Sequence, residues 1–572
     1  MSRRAQVLII VAAVLLMRLP FIDQAVAGDD VTFLYGAEHA LIEPLHPLNA
    51  KFAFNGEIVD MRGHTHGPVD PWILAFLLTI FGSVKEVPFH LFYILFSLIA
   101  ALAAWSIASR FTDHALEAVL LFLVVPPFVV SGNSFEADLP FLAFWLLAVA
   151  LYLSDHPIGS AAAAVLATLT AYQAVLLTPI LFFAPGVRRR WLPLLAPPAA
   201  FVIFQVFERT TGGDLPAAVL ANYMSTHGWQ SLHIKLLNAI ALCGHLIVNI
   251  VSPIAWIGFK RSDRDRFPLV WIGIFFAGAL AIFFAGAARY LLPMALPVCI
   301  LASRSRFVWP AIAIEAALSF SLATVNFQHW NGYREIAREV PKARRVFVNG
   351  EWGIRHYVEE AGGTALLNGQ RFRPGDIVVS TAYAPKIDAP SARLFEREIT
   401  SPIPLRMMDL AGGSAFSAVG GKLWPFAIST APMDRVTVES IIDVQPTLSY
   451  VKIQTPEGAA QIISGVSKSD GWTAQPGLIA LVRPAGSVKL RAIFYVPPNG
   501  VGREVRLAVD GVQVAAKRYD EAGLFTLDSE PLPNAAASRA VVAITTDKPL
   551  RVLSDNRALG VVLSEVGFVQ QP

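Results

Sequence analysis

The sequence predicts a polytopic α-helical membrane protein with about eleven transmembrane helices, followed by a soluble extracytoplasmic domain that is first mixed α/β and then a β-sandwich. Three observations predict this class. Only 16% of the 572 residues are charged, against about 25% in a soluble chain. Charges within residues 1–325 are confined to gaps between long apolar runs, whereas residues 326–572 have the composition of soluble protein. From about residue 445, short β-branched runs alternate with turn residues.

Apolar runs approaching the roughly 20 residues that a bilayer requires define the spans. The predicted spans are 5–23, 88–109, 115–131, 138–154, 159–172, 174–186, 191–207, 235–259, 268–287, 290–302 and 307–325. Three of them, 159–172, 174–186 and 290–302, are short for a full crossing. The further apolar stretch "PVDPWILAFLLTIFG" at 68–82 is short and holds two prolines, so it favours an interfacial or re-entrant segment.

The basic clusters orient the spans. With the N-terminus in the cytoplasm, "SRR", "GVRRRW", "FKRSDRDRF" and "SRSRF" all fall on the cytoplasmic side. An odd number of crossings then sends the C-terminal half to the outer side, and the acidic loop 24–87 is external. The basic, apolar N-terminus is also compatible with a cleaved signal peptide, which leaves residue 28 outside the cytoplasm in either case.

This topology divides the chain into three predicted domains. They are a transmembrane domain at 1–325, an extracytoplasmic α/β linker region at 326–440 and an extracytoplasmic β-sandwich at 441–572. The net charge of +3 gives no support to nucleic-acid binding, and Cys243 and Cys299 lie in apolar segments rather than in a disulfide framework. Nucleotide-binding glycine motifs do not stand out.

Paired acids mark the outer ends of two predicted spans. Asp29 and Asp30 follow the first span, where they are either two solvated acids or a general base held at the membrane face. Glu136 and Asp138 lie at the mouth of a later span, where an acid beside the bilayer is a functional candidate by default. A helix N-cap is the structural alternative for Asp138.

Other polar side chains on the external side are binding candidates. Arg289 breaks the positive-inside trend, which favours a phosphate contact over the alternative of snorkelling to lipid headgroups. His64 and His66 form a His-x-His pair next to a turn, so a polar contact to phosphate or sugar is favoured over a metal site. Tyr172 and Gln173 lie at a helix break, where they line a pocket or mark the membrane interface.

Five segments carry a resemblance to a known superfamily. They are "RLPFIDQAVAGDD", "GHTHGPVDPWILAFLLTIFG", "FEADLPFLAFWLLAVALY", "ARYLLPMALP" and, in the soluble half, "DNRALGVVLSEVGF". In order and topology the chain resembles the GT-C superfamily of membrane glycosyltransferases, nearest to the protein O-mannosyltransferases and the lipid A aminoarabinose transferases. The resemblance covers most of residues 1–345.

The resemblance implies an inverting transfer of a sugar from a polyprenyl phosphate to a glycan, lipid or protein acceptor outside the inner membrane. It implies that Asp29 is the general base with Asp30 beside it, that Asp138 is the second-loop acid, and that Arg289 and Tyr290 lie near the donor phosphate. The aminoarabinose transferases carry a Glu-Lys pair where Thr65-His66 stands here and a Lys at the helix break, which leaves the phosphate-binding set open.

Two other functions stay open at the level of the sequence. A transporter or flippase of lipid-linked saccharides requires polar residues through the bilayer midplane, and few charges lie mid-span here. A non-catalytic membrane scaffold with a sugar-binding sandwich requires neither acid pair. No cofactor is assigned, and a divalent metal is left open.

Overall fold

Helices dominate the first 340 residues of the computed structural model. The described residues are 1–63, 66–185, 190–226, 231–250, 253–257, 261–283, 285–387, 389–414, 416–417, 423–552 and 555–570. Helices up to the soluble half are α1 Arg3–Arg18, α2 Asp30–Ala40, α3 Val69–Phe81, α4 Glu86–Phe111, α5 Ala115–Leu123, α6 Pro126–Ser131, α7 Asp138–Leu153, α8 Pro157–Thr170, α9 Leu177–Phe182, α10 Trp191–Thr211, α11 Pro216–Thr226, α12 Leu232–His245, α13 Arg266–Ile282, α14 Leu292–Ala302 and α15 Val308–Glu339.

Within the described residues, six helical segments are long and apolar enough to cross a membrane. They are Arg3–Phe21, Glu86–Phe111, Trp191–Thr211, Leu232–Ile250, Asp263–Ile282 and Val308–Glu339. Shorter apolar helices accompany them at Val69–Phe81, Asp138–Leu153, Pro157–Thr170, Tyr172–Phe182 and Ala288–Ala302. The prediction of a polytopic α-helical membrane protein is therefore confirmed, whereas the count of eleven crossings stays a prediction.

Proline explains where one observed helix departs from the predicted span. The run 115–131 is broken into α5 and α6, because Val125 precedes Pro126 and takes an extended conformation (φ −62°, ψ 136°). A residue before proline is sterically biased away from the helical region, and proline itself suits the first turn of the next helix. The two short helices therefore meet at a bend rather than forming one straight span.

The apolar stretch 68–82 forms α3, a helix of 13 residues. At about 1.5 Å per residue it is roughly 20 Å long, shorter than the roughly 30 Å hydrocarbon core. It packs against α2 and α8, and its buried Asp70 accepts a hydrogen bond from the Tyr93 hydroxyl (2.8 Å). Whether this stretch crosses the membrane stays a prediction.

The long helix α15 leads into a mixed α/β unit. Its sheet has strand order β4-β3-β5-β7-β6 and is covered by α16, Trp352–Glu360. The strands are β3 Val346–Asn349, β4 Thr364–Ala365, β5 Ile377–Thr381, β6 Ser391–Ile399 and β7 Asp434–Ile441. A small hairpin, β1 Lys51–Phe54 with β2 Glu57–Asp60, lies in loop 24–87.

Two antiparallel sheets form the C-terminal sandwich, as the alternating pattern predicts. Their orders are β14-β11-β18-β8 and β13-β12-β15-β10-β9. The elements are β8 Tyr450–Lys452, α17 Pro456–Ala459, β9 Ile462–Val466, β10 Thr473–Arg483, β11 Val488–Val496, β12 Arg503–Val509, β13 Val512–Tyr519, β14 Gly523–Asp528, β15 Ser538–Thr546 and β18 Val562–Gln570, with a further hairpin of β16 Leu550–Val552 and β17 Asp555–Leu559. Alternate residues of both sheets share one apolar core.

Candidate active site

Asp30 anchors the start of loop 24–87. Its side chain is completely buried and accepts hydrogen bonds from the Ser134 hydroxyl (2.6 Å), the Phe135 amide (2.7 Å) and the Ala27 amide (2.8 Å). Burial raises the pKa of Asp30 to about 7, and these hydrogen bonds oppose the rise. The carboxylate therefore joins loop 24–87 to the 134–135 loop, and a substrate does not reach it in this structure.

Asp29, one residue earlier, faces solvent instead. Its side chain is 43% exposed, and one carboxylate oxygen lies 3.1 Å from a guanidinium nitrogen of Arg289. The Asp29 amide donates a hydrogen bond to Glu136 (3.2 Å). Gly28 has φ +42°, and a Cβ there would lie 2.6 Å from the Glu136 carboxylate. Glycine therefore permits the close approach that presents Asp29 outward.

A single guanidinium holds three carboxylates at this point. Besides Asp29, Arg289 contacts Glu136 through Nη1 (3.0 Å) and Asp138 through Nε (3.2 Å). We call Asp29, Glu136, Asp138 and Arg289 the Arg289 cluster. The N-cap of α7 is Ala137 and Asp138 is the first helical residue, so the Asp138 carboxylate contacts Arg289 rather than serving as the N-cap that was its structural alternative.

The Arg289 cluster carries more negative than positive charge. Glu136 and Asp138 are each only 8% exposed. Burial raises the pKa of Glu136 well above its usual value, and the positive charge of Arg289 opposes the rise. All three guanidinium nitrogens already face carboxylates. Nη1 and Nη2 each carry a second N–H, so these three contacts do not by themselves exclude a phosphate, and the predicted phosphate contact of Arg289 stays a prediction.

Asp29 lies where two cavities meet. An open cleft with about 640 Å³ of empty space is lined by Gly28, Asp29, Glu136 and Arg289, and also by Trp330, Trp352, Met408 and Phe416. A smaller cavity of about 230 Å³ shares Gly28, Asp29 and Trp352 with the cleft. The first four of these cleft residues lie within residues 1–325, and the other four lie later in the chain.

The α/β unit also fixes the backbone that presents Asp29. The Ala25 amide donates to Asn331 Oδ1 (2.8 Å), and the Val26 amide donates to the Tyr357 hydroxyl (2.9 Å). Asn331 lies on α15 and Tyr357 lies on α16. Sequence reasoning missed these positions, because no local pattern marks a residue whose partner lies about 300 positions away.

The predicted histidine pair is only half described. His64 lies outside the described residues. His66 packs its ring against Phe33 (centroids 5.1 Å apart) and pairs with the backbone of Ala171. It lines a separate cavity of about 280 Å³ rather than the cleft. Among the residues that the structure describes, no group of three His, Cys, Asp or Glu side chains could hold a metal ion.

The remaining candidates lie around the cluster in different ways. Tyr290 packs against Phe283 (4.8 Å between centroids), and its ring centroid lies 5.7 Å from the guanidinium carbon of Arg289. Tyr172 begins a 3₁₀ turn that includes Gln173, at the predicted helix break. The described lining of the cleft includes neither Tyr172 nor Gln173.

Several solved structures resemble this one at low identity, whereas no curated protein matches the chain. ArnT from Cupriavidus metallidurans in the apo state has 14% identity and a TM-score of 0.47, over 77% of this chain and 99% of that one. The same protein bound to undecaprenyl phosphate has 15% identity and a TM-score of 0.44, over 67% and 94%. The mycobacterial arabinofuranosyltransferase AftD has 11% identity and a TM-score of 0.41, over 99% and 61%.

A family model matches part of the membrane half. Residues 65–208 match the family described as dolichyl-phosphate-mannose-protein mannosyltransferase. The matched segment begins near "HGPVDPW" in loop 24–87 and includes Glu136 and Asp138. Over these residues the comparison confirms the resemblance to GT-C glycosyltransferases that the sequence motifs predict.

Proposed function

We propose that this chain is an integral membrane glycosyltransferase that moves a sugar from a polyprenyl-phosphate donor to an extracytoplasmic acceptor. The observation that carries the proposal is the exposed Asp29 carboxylate at the meeting point of two cavities. The match of residues 65–208 to a family named for a dolichyl-phosphate sugar supports the donor class. Dolichyl phosphate is itself a polyprenyl phosphate.

The chemistry is a single displacement at the anomeric carbon. Asp29 takes the proton from an acceptor hydroxyl, the oxygen attacks the anomeric carbon, and the lipid phosphate leaves with inversion. Base catalysis of this kind contributes about 10²–10⁴-fold, and holding both substrates in line contributes much of the remainder. Phosphate is a good leaving group, so the reaction requires no separate general acid.

The two adjacent aspartates have different roles in this proposal. Asp30 is a positioning residue, since its burial keeps it from the substrate and its hydrogen bonds fix the loop that carries Asp29. This differs from the catalytic role that its proximity to Asp29 suggested from the sequence. Arg289 aims the Asp29 carboxylate, and Glu136 and Asp138 hold Arg289 in place.

The positive-inside pattern supports a location in the cytoplasmic membrane, with the N-terminus inside and the α/β and sandwich regions outside. In this arrangement residues 1–325 form the membrane domain, 326–440 the adjoining α/β region and 441–572 the sandwich. Asn331 and Tyr357 hold the loop before Asp29, which supports an α/β region that completes the site rather than serving only as a membrane-bound appendage.

The experiment is complementation of a deletion strain, with profiling of its glycolipids and surface polymers. The Asp29→Asn variant should fail to restore the glycan that the deletion strain lacks, while its membrane insertion and abundance match those of wild type. Asp214→Asn is the matched control, because Asp214 is also an exposed outer-loop aspartate (57%) paired with an arginine, Arg62. Full activity of Asp29→Asn would favour the flippase or scaffold alternatives, since neither requires a base at residue 29.

A further inference from the structure

Trp352 occupies an unusual backbone conformation beside Asp29. It has φ +64°, in the left-handed region that bulky residues rarely adopt and that costs about 1–3 kcal/mol where the surroundings enforce it. Such outliers concentrate at binding and catalytic sites. The strain lies at the first residue of α16, at the point where the α/β region meets the membrane half.

The surroundings of Trp352 show what this conformation achieves. A Cβ on Gly353 would collide with the carbonyl of Val26, so the start of α16 is pressed directly onto the segment that leads to Asp29. The Trp352 ring packs edge-on against Trp330 (centroids 6.5 Å apart) and Tyr383 (5.8 Å). The residue is only half-buried and lines both cavities. An indole is therefore held at the junction instead of being sequestered in a core.

The smaller cavity has a lining whose polarity restricts its occupant. Its space of about 230 Å³ is partly open to solvent, so an occupant would lie partly exposed. It combines the Trp352 ring with the polar side chains of Asp29, Tyr35, Glu351 and Arg355. This combination of one apolar face and several hydrogen-bonding groups fits a single sugar ring better than an alkyl chain.

The charge of the cavity lining further restricts the kind of sugar that it could bind. Arg355 forms an ion pair with Glu351 on the same helical turn, so the two charges offset each other. Asp29 then leaves the lining of the cavity net negative, even though Arg289 contacts it from the side of the cleft. An anionic sugar would be repelled, whereas a neutral one would not. The face of an indole carries partial negative charge that attracts the polarised C–H groups of a sugar ring.

We propose that the smaller cavity is the acceptor subsite and that Trp352 is its stacking platform for a neutral monosaccharide unit. The acceptor of the proposed reaction is then a glycan, whose hydroxyl is held over Asp29 while the donor occupies the larger cleft. This inference rests on the proposed function for the assignment of acceptor and donor. Binding of a sugar ring at Trp352 is independent of whether transfer is observed.

The test is saturation-transfer NMR on the full-length protein in detergent with a panel of neutral methyl glycosides and their uronic-acid counterparts. Wild type should bind at least one neutral glycoside with millimolar affinity and its uronic-acid counterpart more weakly. Trp352→Phe should retain binding, because it keeps an aromatic face. Trp352→Gly should weaken binding about tenfold, the effect expected from loss of one aromatic contact.

Trp352→Gly is chosen because glycine accepts φ +64° without strain, so the variant removes the ring while favouring the native backbone. Its unfolding temperature should therefore not fall below that of Trp352→Ala. Trp424→Ala is the control for loss of an exposed indole, since Trp424 is 69% exposed and is not part of the described cavity lining. It should leave glycoside binding unchanged.

The outcomes separate this inference from the proposed function. Wild-type binding in Trp352→Gly, or no glycoside binding by wild type at millimolar concentrations, would overturn the acceptor subsite and leave the proposed transferase standing. Loss of binding in Trp352→Gly with retention in Asp29→Asn would support the subsite. Undiminished transfer by Asp29→Asn would instead overturn the proposed function, whatever the behaviour of Trp352.

Discussion

Arg289→Ala tests the Arg289 cluster most severely. The substitution leaves Glu136 and Asp138, each 8% exposed, without their counter-charge. Removing one partner of a buried ion pair costs about 3–5 kcal/mol, because the remaining charge stays buried and unpaired. The contact with the more exposed Asp29 adds only about 0–1 kcal/mol. A loss of this size is a large part of the roughly 5–15 kcal/mol stability of a folded domain.

The loss should depend on pH, because protonation removes the repulsion between the carboxylates. Thermal unfolding of the purified protein in detergent, followed by intrinsic fluorescence, measures this at pH 5.5 and pH 8. The deficit of Arg289→Ala relative to wild type should be large at pH 8 and smaller at pH 5.5. Arg289→Lys should be intermediate, because one ammonium group lacks the planar fork that reaches three carboxylates.

Arg334→Ala is the matched control, because Arg334 also joins two acids across the boundary between the membrane half and the soluble half. Its partners, Asp23 and Glu86, are 60% and 21% exposed, so its loss should cost less and vary less with pH. Equal unfolding temperatures for wild type and Arg289→Ala at pH 8 would refute the claim that one guanidinium neutralises this cluster.

Two further substitutions probe the scaffold. Asp30→Asn should destabilise the protein by about 1–3 kcal/mol in chemical or thermal unfolding. The side-chain NH₂ group of the asparagine would face a backbone N–H donor where a carboxylate oxygen now accepts. Unchanged stability would contradict the anchoring role of Asp30. Burial raises the pKa of Asp30 to about 7 in the folded protein, so wild-type stability should fall as pH rises from the usual aspartate range towards 7, and Asp30→Asn should show a shallower decline. Gly67→Ala should lower the unfolding temperature, since its Cβ would collide with the Leu169 carbonyl. Gly273→Ala should not, because its Cβ meets open space in α13. Equal effects of the two substitutions would argue against the close packing of Gly67 on Leu169.

The sequence was sufficient to predict the membrane half and the sandwich, because both depend on local periodicity. Long apolar runs indicate membrane spans directly, and strict alternation of apolar and polar residues indicates half-buried strands. The bend before Pro126 was missed, although the Pro-Pro pair at 126–127 indicates a break in the helix. Hydropathy measures how apolar a segment is and contains no information on the steric effect of proline on the residue before it.

The candidate site shows where local patterns stop being informative. Asp29, Glu136, Asp138 and Arg289 could each be selected as polar groups at span ends, and the structure brings them together. Sequence could not distinguish the exposed Asp29 from the buried Asp30, because the turn before α2 decides which of two adjacent side chains points inward.

Long-range partners were also beyond the reach of sequence patterns. Trp352 approaches Asp29 only because α16 docks onto the loop that leaves α1. The helix break at Tyr172 was located correctly, but its direction relative to the cleft depends on how α8 and α10 pack. Such contacts arise from tertiary packing rather than from neighbouring residues.

The most direct measurement of the central claim is the ratio of sugar-loaded to free polyprenyl phosphate in membranes of the deletion strain carrying each variant. This readout follows the donor and requires no knowledge of the acceptor. Wild type and Asp214→Asn should consume the loaded lipid, while Asp29→Asn should let it accumulate as in the empty deletion strain. Consumption of the loaded lipid by Asp29→Asn at the wild-type rate would contradict a catalytic carboxylate at residue 29.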